Sequence, residues 1–166
     1  MPDATKVYSE RQESMIARYL GWTLVPASGA RDFDKGDIKS DNFLAECKTH
    51  IAPQVRISFS LSVWKKLTAE AMANFKTPVL FTDDGTQLIE RTWAIVDIRS
   101  LPCAHDVYVI SEPKLRINKS TVSFVPDNIS TPHKHFLMMC KHSEQNVGFA
   151  IMPLATFRHM FFVGVM

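Results

Sequence analysis

Apolar residues recur at helical spacing near the start of the chain. Ile16, Ala17 and Leu20 lie three and four residues apart, which predicts a helix over residues 13–21 with one buried stripe. Glu13 falls one turn before Ile16 and Ala17, on or beside that stripe, where a carboxylate is costly unless paired or metal-bound. Further along, Ser40-Asp41-Asn42 are strong turn formers between two runs that predict short strands, hence a hairpin. Side chains alternate along a strand, so Glu46 and Lys48 share one face while Phe43, Ala45 and Cys47 take the other. Such a hairpin can lay Asp37 beside Glu46, with Gly36 letting the backbone bend tightly before it.

The pattern then predicts a second helix whose buried stripe is Trp64, Leu67, Ala71 and Phe75. A buried strand over residues 78–82 follows, ended by the turn Asp83-Asp84-Gly85. Further strands are expected over 86–90, 92–98, 107–110, 121–125, 136–140 and 147–152, with 126–132 as the long loop. Pro153 suits the first turn of a closing helix over 154–162. The apolar run 160–166 carries no charge and suits a core strand or a dimer contact. No repeat or low-complexity segment is present, and one domain over 1–166 is expected.

Composition changes this picture only modestly. The 166 residues suffice for a substantial core. The polar start lacks the apolar region of a secretory signal, and no apolar run approaches transmembrane length, so a cytoplasmic protein that stays off membranes is expected. Cys47, Cys103 and Cys140 are an odd, scattered set, for which reduced thiols are the default, Cys47 in the core. The net charge of +2 is weak for a partner of nucleic acid, so its distribution matters more. Residues 1–66 carry ten Lys/Arg against eight acids, 67–112 three against seven, and 113–166 six against two. Basic ends would make most phosphate contacts. Lys65 and Lys66 open the second helix and read as solvated surface.

Asp37, Glu46 and Lys48 carry the candidate chemistry. Two carboxylates on adjacent strands supply oxygen ligands to a divalent metal, Mg²⁺ or Mn²⁺. Such ions activate water and neutralise charge on a phosphodiester, and a neighbouring lysine can orient the water or stabilise the transition state. The plain alternative is a solvent-facing hairpin with an Asp and a Glu–Lys pair. A decoy, Glu112-Pro113-Lys114, fails because Pro113 cannot donate in a central strand. A rival set, Cys103, His105, His133, His135, Cys140 and His142, forms three i, i+2 pairs that could hold zinc. Its spacing is unlike the usual two-to-four-residue cysteine gap, and six ligands exceed the four that zinc needs.

The order helix with Glu13, turn Ser28-Gly29-Ala30-Arg31, Lys35-Gly36-Asp37, hairpin and Glu46-Cys47-Lys48 resembles the PD-(D/E)xK nuclease superfamily. It is most similar to phage and archaeal Holliday-junction resolvase-like members, over about residues 8–82; the usual proline before the first acid is here Gly36. The resemblance implies an α/β (α+β) restriction-endonuclease-like fold, a mixed β-sheet core flanked by helices over about 8–100. A C-terminal β-rich elaboration over about 101–166 would complete it. It implies a metal-dependent DNA endonuclease, with Glu13, Asp37 and Glu46 on Mg²⁺ (Mn²⁺ the alternative) and Lys48 assisting the attacking water. Glu10 is the alternative helix acid. Ser28, Arg31, Lys35 and Lys39 would meet the DNA backbone. A homodimer in a bacterial or phage-infected cell is implied as well. The alternatives are a restriction- or repair-type nuclease on linear duplex, an RNA-directed nuclease, and a non-catalytic DNA-binding protein on the same fold.

Overall fold

The computed structural model describes residues 3–26, 36–102, 108–109, 116–117, 120–125, 136–142 and 147–163. Helix α1 (Ala4–Leu20) starts well before the expected position, because Asp3 caps it by accepting from Thr5 N–H at 3.0 Å. It ends at Gly21, whose left-handed backbone returns an N–H to the Ala17 carbonyl. Of the strands β1 (Thr23–Leu24), β2 (Ile38–Lys39) and β3 (Phe43–Lys48) that follow, β2 runs antiparallel to both β1 and β3. The expected hairpin therefore forms, and Lys76 fastens its turn by donating to the carbonyls of Ser40 and Asp41.

After β4 (Ile57–Ser60), helix α2 (Leu61–Ala73) carries the chain across to β5 (Thr77–Asp83), which pairs with β3 in parallel. A helical crossover is what parallel neighbours need. Ser60 caps α2 by accepting from Ser62 N–H at 3.2 Å. Strand β6 (Thr92–Asp97) runs antiparallel to β5, and β11 (Val147–Pro153) antiparallel to β6. Beyond them lie β10 (Phe136–His142), antiparallel to β11, and β7 (Tyr108–Val109), parallel to β10. The result is a mixed eight-stranded sheet in the order β1-β2-β3-β5-β6-β11-β10-β7. A smaller antiparallel sheet, β4-β9-β8, is made with β8 (Arg116–Ile117) and β9 (Thr121–Phe124).

Alternation along the central strands divides the core into two layers. Leu44, Leu80, Trp93, Ile95, Phe149 and Ile151 face α2 and the small sheet, where Trp64, Leu67, Ala71, Phe59 and Phe124 meet them. Phe43, Ala45, Cys47, Val79, Phe81, Ala94, Val96, Ala150 and Met152 face the other side, against Ile16 and Ala17 of α1 and Phe157 of α3 (Leu154–Arg158). The α/β class with a mixed sheet between helices is thus as expected. No helix among the described residues is long and apolar enough to cross a membrane.

Three expectations are corrected. Phe75 is not part of the buried stripe: α2 stops at Ala73, the chain turns left-handed at Phe75 (φ 55°), and the ring is 97% exposed. Residues 86–90 are not a strand. The Asp84 carboxylate accepts from both Thr86 N–H and its hydroxyl, Gln87 has φ 56°, and a 3₁₀ turn covers Ile89–Arg91. Residues 160–163 are not a strand either, since α3 widens into a π-helical turn, His159–Val163, while 164–166 lie outside the described residues. There Phe161 and Phe162 pack on Phe43 and Phe157.

Candidate functional site

Asp37 is held by its backbone on two sides. Its N–H donates to the Ala45 carbonyl at 2.8 Å, and its own carbonyl accepts from Val25 N–H at 2.9 Å. Asp37 immediately precedes β2, whose Ile38 pairs with Ala45, and so lies beside the Ala45–Cys47 stretch of β3 that holds Glu46. Gly36 makes this possible, since at φ 80° a Cβ there would stand 2.8 Å from Leu44 Cδ1 and 2.9 Å from the Ala45 oxygen. Ile38 and Cys47 pack toward α1, so their neighbours Asp37, Lys39, Glu46 and Lys48 take the opposite face. Asp37 Oδ2 accepts from the backbone N–H of Cys47 at 2.7 Å, and Lys48 Nζ donates to Glu46 Oε1 at 2.7 Å.

Helix α1 brings Glu13 to this group at the end of β3. Burial, then the charges of Asp37, Glu10 and Glu46, push the Glu13 carboxyl up to about 7, with Lys48 opposing them. Asp37 rises to about 6, through burial and the charge of Glu46, against the pull of the Cys47 N–H, Lys48 and Lys66. Burial alone would lower Lys48, but its hydrogen bond with Glu46 and the charges of Glu46 and Asp37 outweigh that and raise it. Of the two helix acids, Glu13 is the one that the charges of Asp37 and Glu46 reach, while Glu10 pairs with Lys6 at 3.8 Å in the open, its side chain 62% exposed.

A half-buried cluster in which Asp37 and Glu46 raise Glu13, and Glu46 raises Asp37, favours added positive charge, and hard carboxylate oxygens suit Mg²⁺ or Mn²⁺. The donor set fits such an ion in its chemistry. In its present arrangement, however, no three of the His, Cys, Asp and Glu side chains among the described residues form a group able to hold a metal. Glu46 is turned to Lys48 instead.

Other expected residues fall differently. Lys39 lies on β2 beside Asp37. Ser28, Arg31 and Lys35 lie outside the described residues, as do Cys103, His105, His133 and His135. Cys140 and His142 are placed on β10 by their backbone alone. Lys66, read as plain surface, is exposed and 3.9 Å from Glu70, yet its charge reaches Asp37. That proximity follows from the α2 crossover, and no local pattern around Lys65-Lys66 carries it. Sequence reasoning also missed the polar braces at the strand ends. Gln12 Nε2 donates to the Lys48 carbonyl at 2.8 Å, Gln87 Nε2 to the Tyr8 carbonyl at 2.6 Å, and Thr49 Oγ1 to Asp83 Oδ1 at 2.8 Å. A polar residue on the apolar stripe of α1, Gln12 beside Ile16, was the available signal.

No protein-family model, curated protein or solved structure matches this chain.

Proposed function

We propose that the chain is a metal-dependent DNA endonuclease of the PD-(D/E)xK type, with a restriction-endonuclease-like core and Holliday-junction resolvase-like activity. One observation carries this reading: the Asp37 carboxylate accepts from the Cys47 N–H next to Glu46, Lys48 bonds Glu46, and the charges of Asp37, Glu46 and Lys48 all reach Glu13 on α1. The order α1, hairpin, α2 and β5 follows the order of elements that the resemblance implies, which supports the reading. Glu13, Asp37 and Glu46 would hold Mg²⁺ or Mn²⁺, which when bound supplies positive charge beside the phosphate and a more acidic water. The Cys47 N–H keeps Asp37 turned to the site. Lys48, which bonds Glu46 in this structure, would be placed to donate to the attacking water or to a phosphoryl oxygen once a cation held Glu46. Lys39 and Lys66 flank the scissile backbone. Two copies of the chain would cut the two strands of a junction.

A second reading, a non-catalytic DNA-binding protein, draws support from the Lys48–Glu46 bond, which uses one carboxylate that a metal would need. The test is cleavage of a four-way DNA junction beside the matching linear duplex, with Mg²⁺, Mn²⁺ or EDTA. Paired nicks on the junction alone, lost in EDTA, are expected. Equal cutting of both would move the activity to linear duplex, and binding without cutting under any metal would favour the second reading.

A further inference from the structure

Gln12 lies on the buried stripe of α1 with Ile16 and Ala17, fully shielded from solvent. Its two amide atoms fare differently. Nε2 donates to the Lys48 carbonyl at 2.8 Å, while Oε1 is buried and without a partner among the described residues. An aliphatic side chain of similar length would fill the same space with no orphaned acceptor. The amide thus carries a desolvation penalty, and the one thing it obtains in return is its hold on Lys48.

That hold falls at a telling point. Lys48 is the last residue of β3, and Lys48 with Thr82 is the last rung of the parallel ladder to β5. The next residue, Thr49, is fixed separately by Asp83. The Lys48 ammonium itself is half-exposed and touches Glu46. The backbone from which it springs sets where the side chain starts and how it leaves the strand, Glu46 holds its tip, and Gln12 fastens that backbone to the helix that also bears Glu13.

We propose that Gln12 is a positioning residue: it locks the carbonyl of Lys48 to α1, and so aims the Lys48 ammonium at Glu46 and the scissile phosphate. This rests on the nuclease reading for its catalytic consequence, but not for the aim of the lysine. The geometry predicts that Gln12→Met keeps the fold and melts near the wild-type temperature, since it removes an orphaned oxygen along with one hydrogen bond. On a junction with Mg²⁺ it should lower kcat at least tenfold with KM nearly unchanged. In a Lys48→Met background the same change should cost nothing more, because the residue through which Gln12 acts is gone.

A wild-type kcat in Gln12→Met, or a loss that adds fully to that of Lys48→Met, overturns the proposal. Should Gln12→Met fail to fold, Gln12→Asn keeps an amide too short to reach the carbonyl and is held to the same outcomes. One readout needs no activity: the side-chain ammonium resonance of Lys48 in ¹⁵N-lysine protein. Loss of the Glu46 contact should move it toward free lysine in the variant. An unmoved resonance overturns the positioning role even if the wild type cuts. A moved resonance with an inactive wild type sustains the role and rejects the nuclease reading alone.

Discussion

Asp37 and Glu13 are both carboxyls that burial and neighbouring acids raise. The carboxyls stand at about 6 and about 7, above their ordinary values of 3.8 and 4.5. The folded state therefore holds protons that the unfolded chain releases at lower pH. Their contribution is fully present below about pH 4 and is lost as pH rises through 6 and 7. Asp84 and Asp97 work the other way: although burial opposes it, Thr86 and Arg91 hold Asp84 low, and Arg99 does the same for Asp97. The comparison to make is thus against Glu13→Gln/Asp37→Asn, in EDTA. The wild type should lose several degrees of melting temperature relative to that variant between pH 5 and pH 8, and Mg²⁺ should restore them. Parallel curves would show that the carboxylates do not strain one another. Asp37→Asn alone keeps an oxygen for the Cys47 N–H, so it should fold at least as stably as wild type at pH 7.5 while losing junction cleavage by about a thousandfold or more. Retained Mg²⁺-dependent cutting in that variant would remove Asp37 from the mechanism.

At the level of elements, what was legible in the sequence was whatever a short window decides. Ser40-Asp41-Asn42 announces the hairpin, and two-residue alternation puts Glu46 with Lys48. Alternation fails where turn chemistry or a chain reversal overrides it. Residues 86–90 read as a strand, but Asp84 folds the segment back on itself and is in turn held by Arg91 at 2.7 Å. Phe75 fits the stripe of α2 by spacing alone, yet the helix ends two residues earlier, where the chain must turn to enter β5. Its left-handed backbone is costly for a side chain that gains nothing from burial. Phe75→Gly should raise stability by about 0.5–1 kcal/mol, read as a higher urea midpoint at unchanged slope. Gly36→Ala should do the reverse, costing about 1–3 kcal/mol because its Cβ meets Leu44 and the Ala45 carbonyl. Equal midpoints in that variant would mean the turn can open without loss. Half of the candidate site (Asp37, Glu46 and Lys48) was local; the rest, Gln12, Lys66 and the choice of Glu13 over Glu10, depended on how α1 and α2 dock.

Across the whole molecule, the central sheet joins two cores that each carry their own reporter. Trp22 is buried on the α1 side, against Phe43, Phe81 and Phe157. Trp64 and Trp93 are buried on the α2 side, against Phe149 and Phe124. Since the same strands serve both layers, neither can dissolve alone. Variants retaining only Trp22, or only Trp64, should give urea transitions that coincide with each other and with far-ultraviolet circular dichroism. Two separate midpoints would show that the layers unfold independently.

The parallel pairing of β3 with β5 also sets an order in time. Asp37 and Glu46 meet through a hairpin closed within a few residues, an event that takes microseconds. Thr49 and Asp83, by contrast, are 34 residues apart and meet after α2 has crossed over. Loop closure of that kind is the slower step. The negative hairpin is then assembled early and must wait, its charges unrelieved, for the helix and strand that brace it. Nascent chains would spend that interval with the hairpin formed and its far end not yet braced by Asp83, so the end of β3 would be the last part of the cluster to be fixed.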